Sequence, residues 1–174
     1  MKTSIASVLF VFALGLSIQA AHSTVKISEV HLCCKGCVTG VEKAVAEVQG
    51  ASVSADKDAG VVTLSGADKA TVQKAADALV AAGYYGKSSD SGVKIKSDTG
   101  AKGKKVQSLQ VNGVHLCCGK CVSAVNEALD SVAGVKANTA AKGAKSFTVT
   151  GEFTDSDVFG ALQKAGLAGR VGGE

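Results

Sequence analysis

Two hydrophobic periods alternate along the chain. Val25, Ile27 and Val30, and later Leu109 and Val111, recur almost every second residue, which predicts half-buried strands. Val38, Val41, Val45 and Val48, then Val122, Val125, Leu129 and Val132, recur at spacings of three and four, which predicts amphipathic helices closed at Gly50 and Gly134. Short strands are expected at Ala51 to Ser54, Val61 to Ser65, Val135 to Asn138 and Ser146 to Thr150. Second helices follow the caps Asp68 and Thr154 and carry Val72, Ala75, Ala76 and Leu79, or Val158, Phe159, Leu162 and Ala165. A last strand is expected near Tyr84 and again near Leu167, so each half reads βαββα plus a strand.

The pattern repeats because the sequence repeats. HLCCKGC at His31 to Cys37 returns as HLCCGKC at His115 to Cys121, and TLSG ending at Gly66 returns as TVTG ending at Gly151. Two units are expected, at 24–89 and 106–174. A Ser, Gly, Asp and Lys-rich linker at 90–105 reads as a flexible, solvated connector, with VKIK able to lengthen the last strand of the first unit. Ahead of them, Lys2, the apolar run from Ile5 to Leu16 and Ala20 read as a signal peptide at 1–20. Export to the periplasm or the medium is expected, with no stable membrane insertion after cleavage.

Composition narrows the chemistry. The 174 residues hold 19 Lys and Arg against 15 Asp and Glu, six Cys, no Pro and no Trp, with 4% aromatics. A net charge of +4 without a basic stripe or interleaved aromatics argues against nucleic-acid binding. All six cysteines lie in the repeated loops, as Cys33, Cys34, Cys37, Cys117, Cys118 and Cys121. Each loop ends a strand and opens a helix, where free N–H groups and the macrodipole favour thiolates, and Lys35 and Lys120 add positive charge. Two sulfurs in C-x-x-C spacing converge on one ion, and Cys33 or Cys117 supplies a third. Three sulfurs suit Cu(I), or Zn(II) or Cd(II) completed by a fourth ligand.

Disulfides are the competing reading outside the cytosol. Three cysteines per loop leave one over, and a bridge between adjacent Cys33 and Cys34 is strained. Thiol–disulfide exchange by the C-x-x-C pair is another alternative, but the chain has no proline to set in cis against that motif. A secreted interaction module with oxidised loops is the third. His31 and His115 stand two residues before the first loop cysteine, as outer ligands or as packing residues. Leu32 and Leu116 read as apolar plugs, and Tyr84 as a hydrogen-bond donor to a sulfur, with Leu167 in the equivalent place of the second copy.

The two loops resemble the heavy-metal-associated domain family, whose Gly-Met-Thr-Cys-x-x-Cys pattern lies on the first loop of a βαββαβ, ferredoxin-like unit. The signal peptide, the loops and TVQKAADALVAAGYYGKSS are similar to periplasmic mercury-binding proteins and copper chaperones of that family. The resemblance implies an α+β chain of two tandem ferredoxin-like βαββαβ sandwiches, with Cys34 and Cys37, and Cys118 and Cys121, at the ligand positions. His31, Leu32 and Cys33, and His115, Leu116 and Cys117, replace the family's Gly, Met and Thr. The expectation is a non-enzymatic, exported protein that captures a soft metal ion and hands it on or sequesters it, Cu(I) first, then Zn(II), with Hg(II) or Cd(II) as detoxification targets. A metal-donor or acceptor protein is the expected partner, and the connector would let both loops grip one partner or share a cluster.

Overall fold

The computed structural model describes residues 22–173; the expected signal peptide at 1–20 lies outside the described residues. The first unit runs β1 (Ser23–Ser28), α1 (Lys35–Ala46), β2 (Ala51–Asp56), β3 (Val61–Gly66), α2 (Lys69–Ala81) and β4 (Lys87–Ser88). The second repeats it as β5 (Lys105–Asn112), α3 (Gly119–Asp130), β6 (Val135–Asn138), β7 (Ser146–Thr154), α4 (Asp155–Lys164) and β8 (Arg170–Val171). Each forms a four-stranded antiparallel sheet, in the orders β2-β3-β1-β4 and β6-β7-β5-β8. With two helices each, the fold is α+β, two ferredoxin-like βαββαβ units, as expected.

The periods decide which faces are buried. Val25, Ile27, Val62 and Leu64 alternate with exposed or half-buried neighbours, and Val41, Val45, Val72 and Leu79 turn one stripe of α1 and α2 onto that sheet face. Each such Val or Leu contributes about 1.5–3 kcal/mol by leaving water. Asp68 caps α2 by accepting from Thr71 N–H at 2.7 Å, whereas the expected cap Thr154 makes no side-chain bond. Strand β7 runs to Thr154, beyond the expected end at Thr150, because Gly151 (φ 147) lets the strand continue through a bend.

The last strands are only two residues long and begin at Lys87 and Arg170, later than expected. The residues before them are used elsewhere. Tyr84 and Leu167 form an isolated antiparallel bridge to each other, flanked by Tyr85 N–H to Gly166 O (3.1 Å) and Ala168 N–H to Gly83 O (3.0 Å). Equivalent residues of the two copies thus pair about a pseudo-twofold axis. Gly83 (φ 94) and Gly166 (φ 76) permit it: a Cβ would meet Gly113 O and His115 N, or Glu29 O and His31 N, at 2.4–2.5 Å. The apolar interior is continuous across this junction.

The segment 90–105 differs from the expected flexible connector. Val93 is 1% exposed, and Gln73 accepts from Lys94 N–H at 2.7 Å while donating to its carbonyl at 2.8 Å. VKIK therefore packs against α2 and adds no strand. Farther on, Thr99 O accepts from Val171 N–H (2.8 Å), and the buried Asp155 carboxylate accepts from Lys102 and Lys104 N–H, both at 2.9 Å. The chain between the units is laid along both of them. Among the described residues no helix is long and apolar enough to cross a membrane.

Candidate metal centre

The junction brings the two cysteine loops face to face. In each unit Leu32 or Leu116 is buried and pins the loop to the core, as expected of apolar plugs. Cys34 and Cys118 take the extended N-cap positions of α1 and α3, and Cys37 and Cys121 fall in the first turns, fully buried. Gly36 stands against the opposite loop, where a Cβ would lie 3.3 Å from Cys117 Sγ.

All six sulfurs meet. Across the junction, Cys33 lies 3.4 Å from Cys118 and 3.5 Å from Cys121, while Cys117 lies 3.5 Å from Cys34 and 3.6 Å from Cys37. The buried pair Cys37 and Cys121 stands at 3.8 Å. Within the loops, Cys33–Cys37 is 3.6 Å and Cys34–Cys37 3.9 Å, against 3.7 Å for Cys117–Cys121 and 3.8 Å for Cys118–Cys121. Cys33–Cys34, Cys34–Cys118 and Cys117–Cys118 also fall within 4.8 Å. These twelve contacts are the edges of an octahedron, whose opposite corners are Cys33 and Cys117, Cys34 and Cys121, and Cys37 and Cys118. Matching distances in the two halves agree within 0.1 Å, so the pseudo-twofold axis runs through the cluster.

No pair is near the roughly 2.05 Å of a disulfide, and all six are free thiols. Bonds of about 2.3 Å to a tetrahedral Zn(II) set sulfurs about 3.8 Å apart, and a trigonal ion at that distance sets them about 4.0 Å apart. The nine edges of 3.4–3.9 Å fit either with a slight expansion. Sulfur, a soft donor, selects Cu(I), Zn(II) and similar ions over hard cations. The cluster suits a soft metal.

Protonation follows from the crowding. Six sulfurs in contact cannot all ionise without a cation between them. Burial, then the neighbouring Cys118 sulfur, pushes the Cys33 thiol up to about 12, and burial, then Cys34 and Cys37, also raises Cys117 above the ordinary thiol value. In the Cys37–Cys121 pair the mutual hydrogen bond lowers Cys37, with His115 and Cys117 assisting against burial, and the same bond together with burial raises Cys121. The backbone amide of Cys121 is the largest influence on Cys118 and, with sulfur neighbours, pulls that thiol down to about 6. The helix start was expected to favour thiolate at Cys37 and Cys121; its amide acts instead on the cap residue Cys118, while Cys121 is raised by its bond to Cys37 and by burial.

The histidines cross the junction. His115 Cε1 sits against Gly40 of α1, 2.8 Å from where a Cβ would stand, while His31 lies in a cleft with Ala124, the equivalent residue of α3. A His31 ring nitrogen is within 4.8 Å of Cys33 and Cys121 Sγ, and the Nε2 atoms of both histidines are buried without a hydrogen-bond partner. Burial lowers the His31 pKa, which favours the neutral imidazole that binds metal. Tyr84 differs from expectation. Its hydroxyl donates to the Cys37 carbonyl at 2.9 Å, not to a sulfur, and its ring stacks on His115 of the other unit at 4.6 Å between centroids. Sequence reasoning named these residues but missed Gly40, whose bare Cα makes room for both Tyr84 and His115.

No protein-family model and no curated protein matches the chain. Among solved structures it is similar to the N-terminal soluble domains of Bacillus subtilis CopA, with 16% identity and a TM-score of 0.31, covering 89% of this chain and 97% of that one. It is also similar to the first two RRM domains of the yeast poly(U) binding protein Pub1, with 9% identity and a TM-score of 0.25, covering 86% and 98%. The metal reading rests on the sulfur geometry.

Proposed function

We propose that this chain is an exported soft-metal carrier whose two CCxxC loops form one shared centre, with Cu(I) as its first ion and Zn(II), Hg(II) or Cd(II) as further candidates. The observation that carries the reading is the contact of six sulfurs from both loops. Six thiolates exceed what one trigonal or tetrahedral ion takes, so the centre would hold more than one ion through shared sulfurs.

The proposal contains no bond-making on an organic substrate. The ion is cargo, taken or handed on by ligand exchange: a thiolate of a donor or acceptor protein displaces a loop sulfur. Cys33, Cys34, Cys117 and Cys118 are half-buried and reachable, whereas Cys37 and Cys121 are sealed in the core. That division supports exchange at the rim around a retained centre.

The test is titration of the reduced protein with Cu(I) and with Zn(II), read by sulfur-to-metal absorption and native mass spectrometry. Several ions per chain are expected, entering together, and none beyond background when all six cysteines are changed to Ser. Binding no tighter than that of the six-Ser variant would overturn the reading.

A further inference from the structure

The two halves differ beside the centre. In the first, Glu29 adopts a left-handed backbone (φ 60), which is unusual for a residue with a side chain, and its carboxylate meets Lys87 Nζ at 2.8 Å. In the second, the residue equivalent to Glu29 is Gly113 (φ 79) and the one equivalent to Lys87 is Arg170. The cation is kept and its acid is gone. Among the described residues no carboxylate pairs with Arg170, whose Nη1 lies over Gly113, 3.7 Å from where a Cβ would be. Lys145 stands where the first half has Gly60.

Arg170, Lys145, Asn112 and Cys117 line one open surface cavity of about 630 Å³. The corresponding cavity beside Cys33, about 460 Å³, holds Glu29, Asp58, Lys57 and Lys164, and Lys57 is paired with Asp58. Duplication has left one side of the centre balanced in charge and the other with two cations and a half-buried cysteine.

We infer that the cavity beside Cys117 receives a small, carboxylate-bearing thiol that carries the metal to the centre. The inference rests on the metal reading above and adds the class of donor. The ligand's carboxylate meets Arg170 and Lys145, and its sulfur arrives beside Cys117. The metal–sulfur bond to the ligand breaks as the bond to Cys117 forms, and the Cys117 proton passes to the departing sulfur. No electron is transferred.

The test follows uptake of Cu(I) by the reduced protein from glutathione, an anionic peptide thiol, and from mercaptoethanol, an uncharged one, by stopped-flow absorption of the copper–thiolate band. The double variant Lys145→Ala/Arg170→Ala should slow uptake from glutathione about tenfold and leave the mercaptoethanol rate unchanged. Gly113→Glu, which restores the acid that the first half places beside its cation, should do the same. Lys57→Ala/Lys164→Ala, in the opposite cavity, should change neither rate. Equal slowing with both thiols, or no slowing, overturns the inference and leaves the metal centre standing. Failure of the unaltered protein to take copper from either thiol overturns the centre itself.

Discussion

Gly40 is where the two units and the centre depend on a single missing atom. In Gly40→Ala a Cβ would overlap the Tyr84 hydroxyl and stand 2.8 Å from His115 Cε1, so the tyrosine must leave the Cys37 carbonyl. Overpacking costs about 1–3 kcal/mol and the lost hydrogen bond about 1 kcal/mol, while replacing a helical glycine returns about 1 kcal/mol. The net expectation is a loss of about 1–3 kcal/mol. Tyr84→Leu alone forfeits the hydrogen bond, the stack on His115 and ring packing, about 2–4 kcal/mol. The second copy already carries the alternative pair, Ala124 with Leu167. The double variant Gly40→Ala/Tyr84→Leu should therefore be more stable than the sum of the single losses by more than about 1 kcal/mol, as expected for residues in contact. Urea unfolding of the reduced, metal-free protein measures all three. Additivity within about 0.5 kcal/mol would refute the claim that one methyl group and one tyrosine compete for the same space.

Leu116→Ala, beneath the second loop, should cost about 2–4 kcal/mol in the same assay, with Leu32→Ala similar, because both side chains are buried. Asp155→Ala should release segment 90–105, raising proteolysis near Lys102, at a cost of about 2–4 kcal/mol. Burial alone would raise the Asp155 pKa, but the amides of Lys102, Lys104, Ser156 and Gly103 together lower it below the usual carboxylate value. Its contribution is therefore present above pH of about 4 and lost as acid takes the pH down through the folded-state value, so the variant's deficit should shrink at low pH in unfolding curves. Adding a soft metal in excess should raise the melting temperature in a concentration-dependent way in scanning calorimetry, and a chelator should reverse it.

The regular elements were legible because hydrophobic period records burial directly: Val25 and Ile27, or Val41 and Val45, face the interior the spacing assigned them. The ends of the units were not. Tyr84 and Leu167 carry the apolar mark of a strand, but their bridging partner is each other, a relation between copies that a local pattern does not encode. Segment 90–105 looked like a solvated connector because its anchors, Gln73 and Asp155, lie outside it in the chain. The cysteines were visible as candidate ligands, three to a loop. Their convergence into one octahedron depends on how two glycine-lined surfaces meet, which no spacing records.

Sharing of the centre is tested most directly by removing one loop and measuring the other. Native mass spectrometry and competitive Cu(I) affinity are to be compared for the reduced protein and the variant Cys117→Ser/Cys118→Ser/Cys121→Ser. With six sulfurs acting as one set, the variant should lose every multi-ion species and bind its remaining copper at least tenfold more weakly than the intact centre. An intact first loop that keeps half the copper at undiminished affinity would contradict the shared centre.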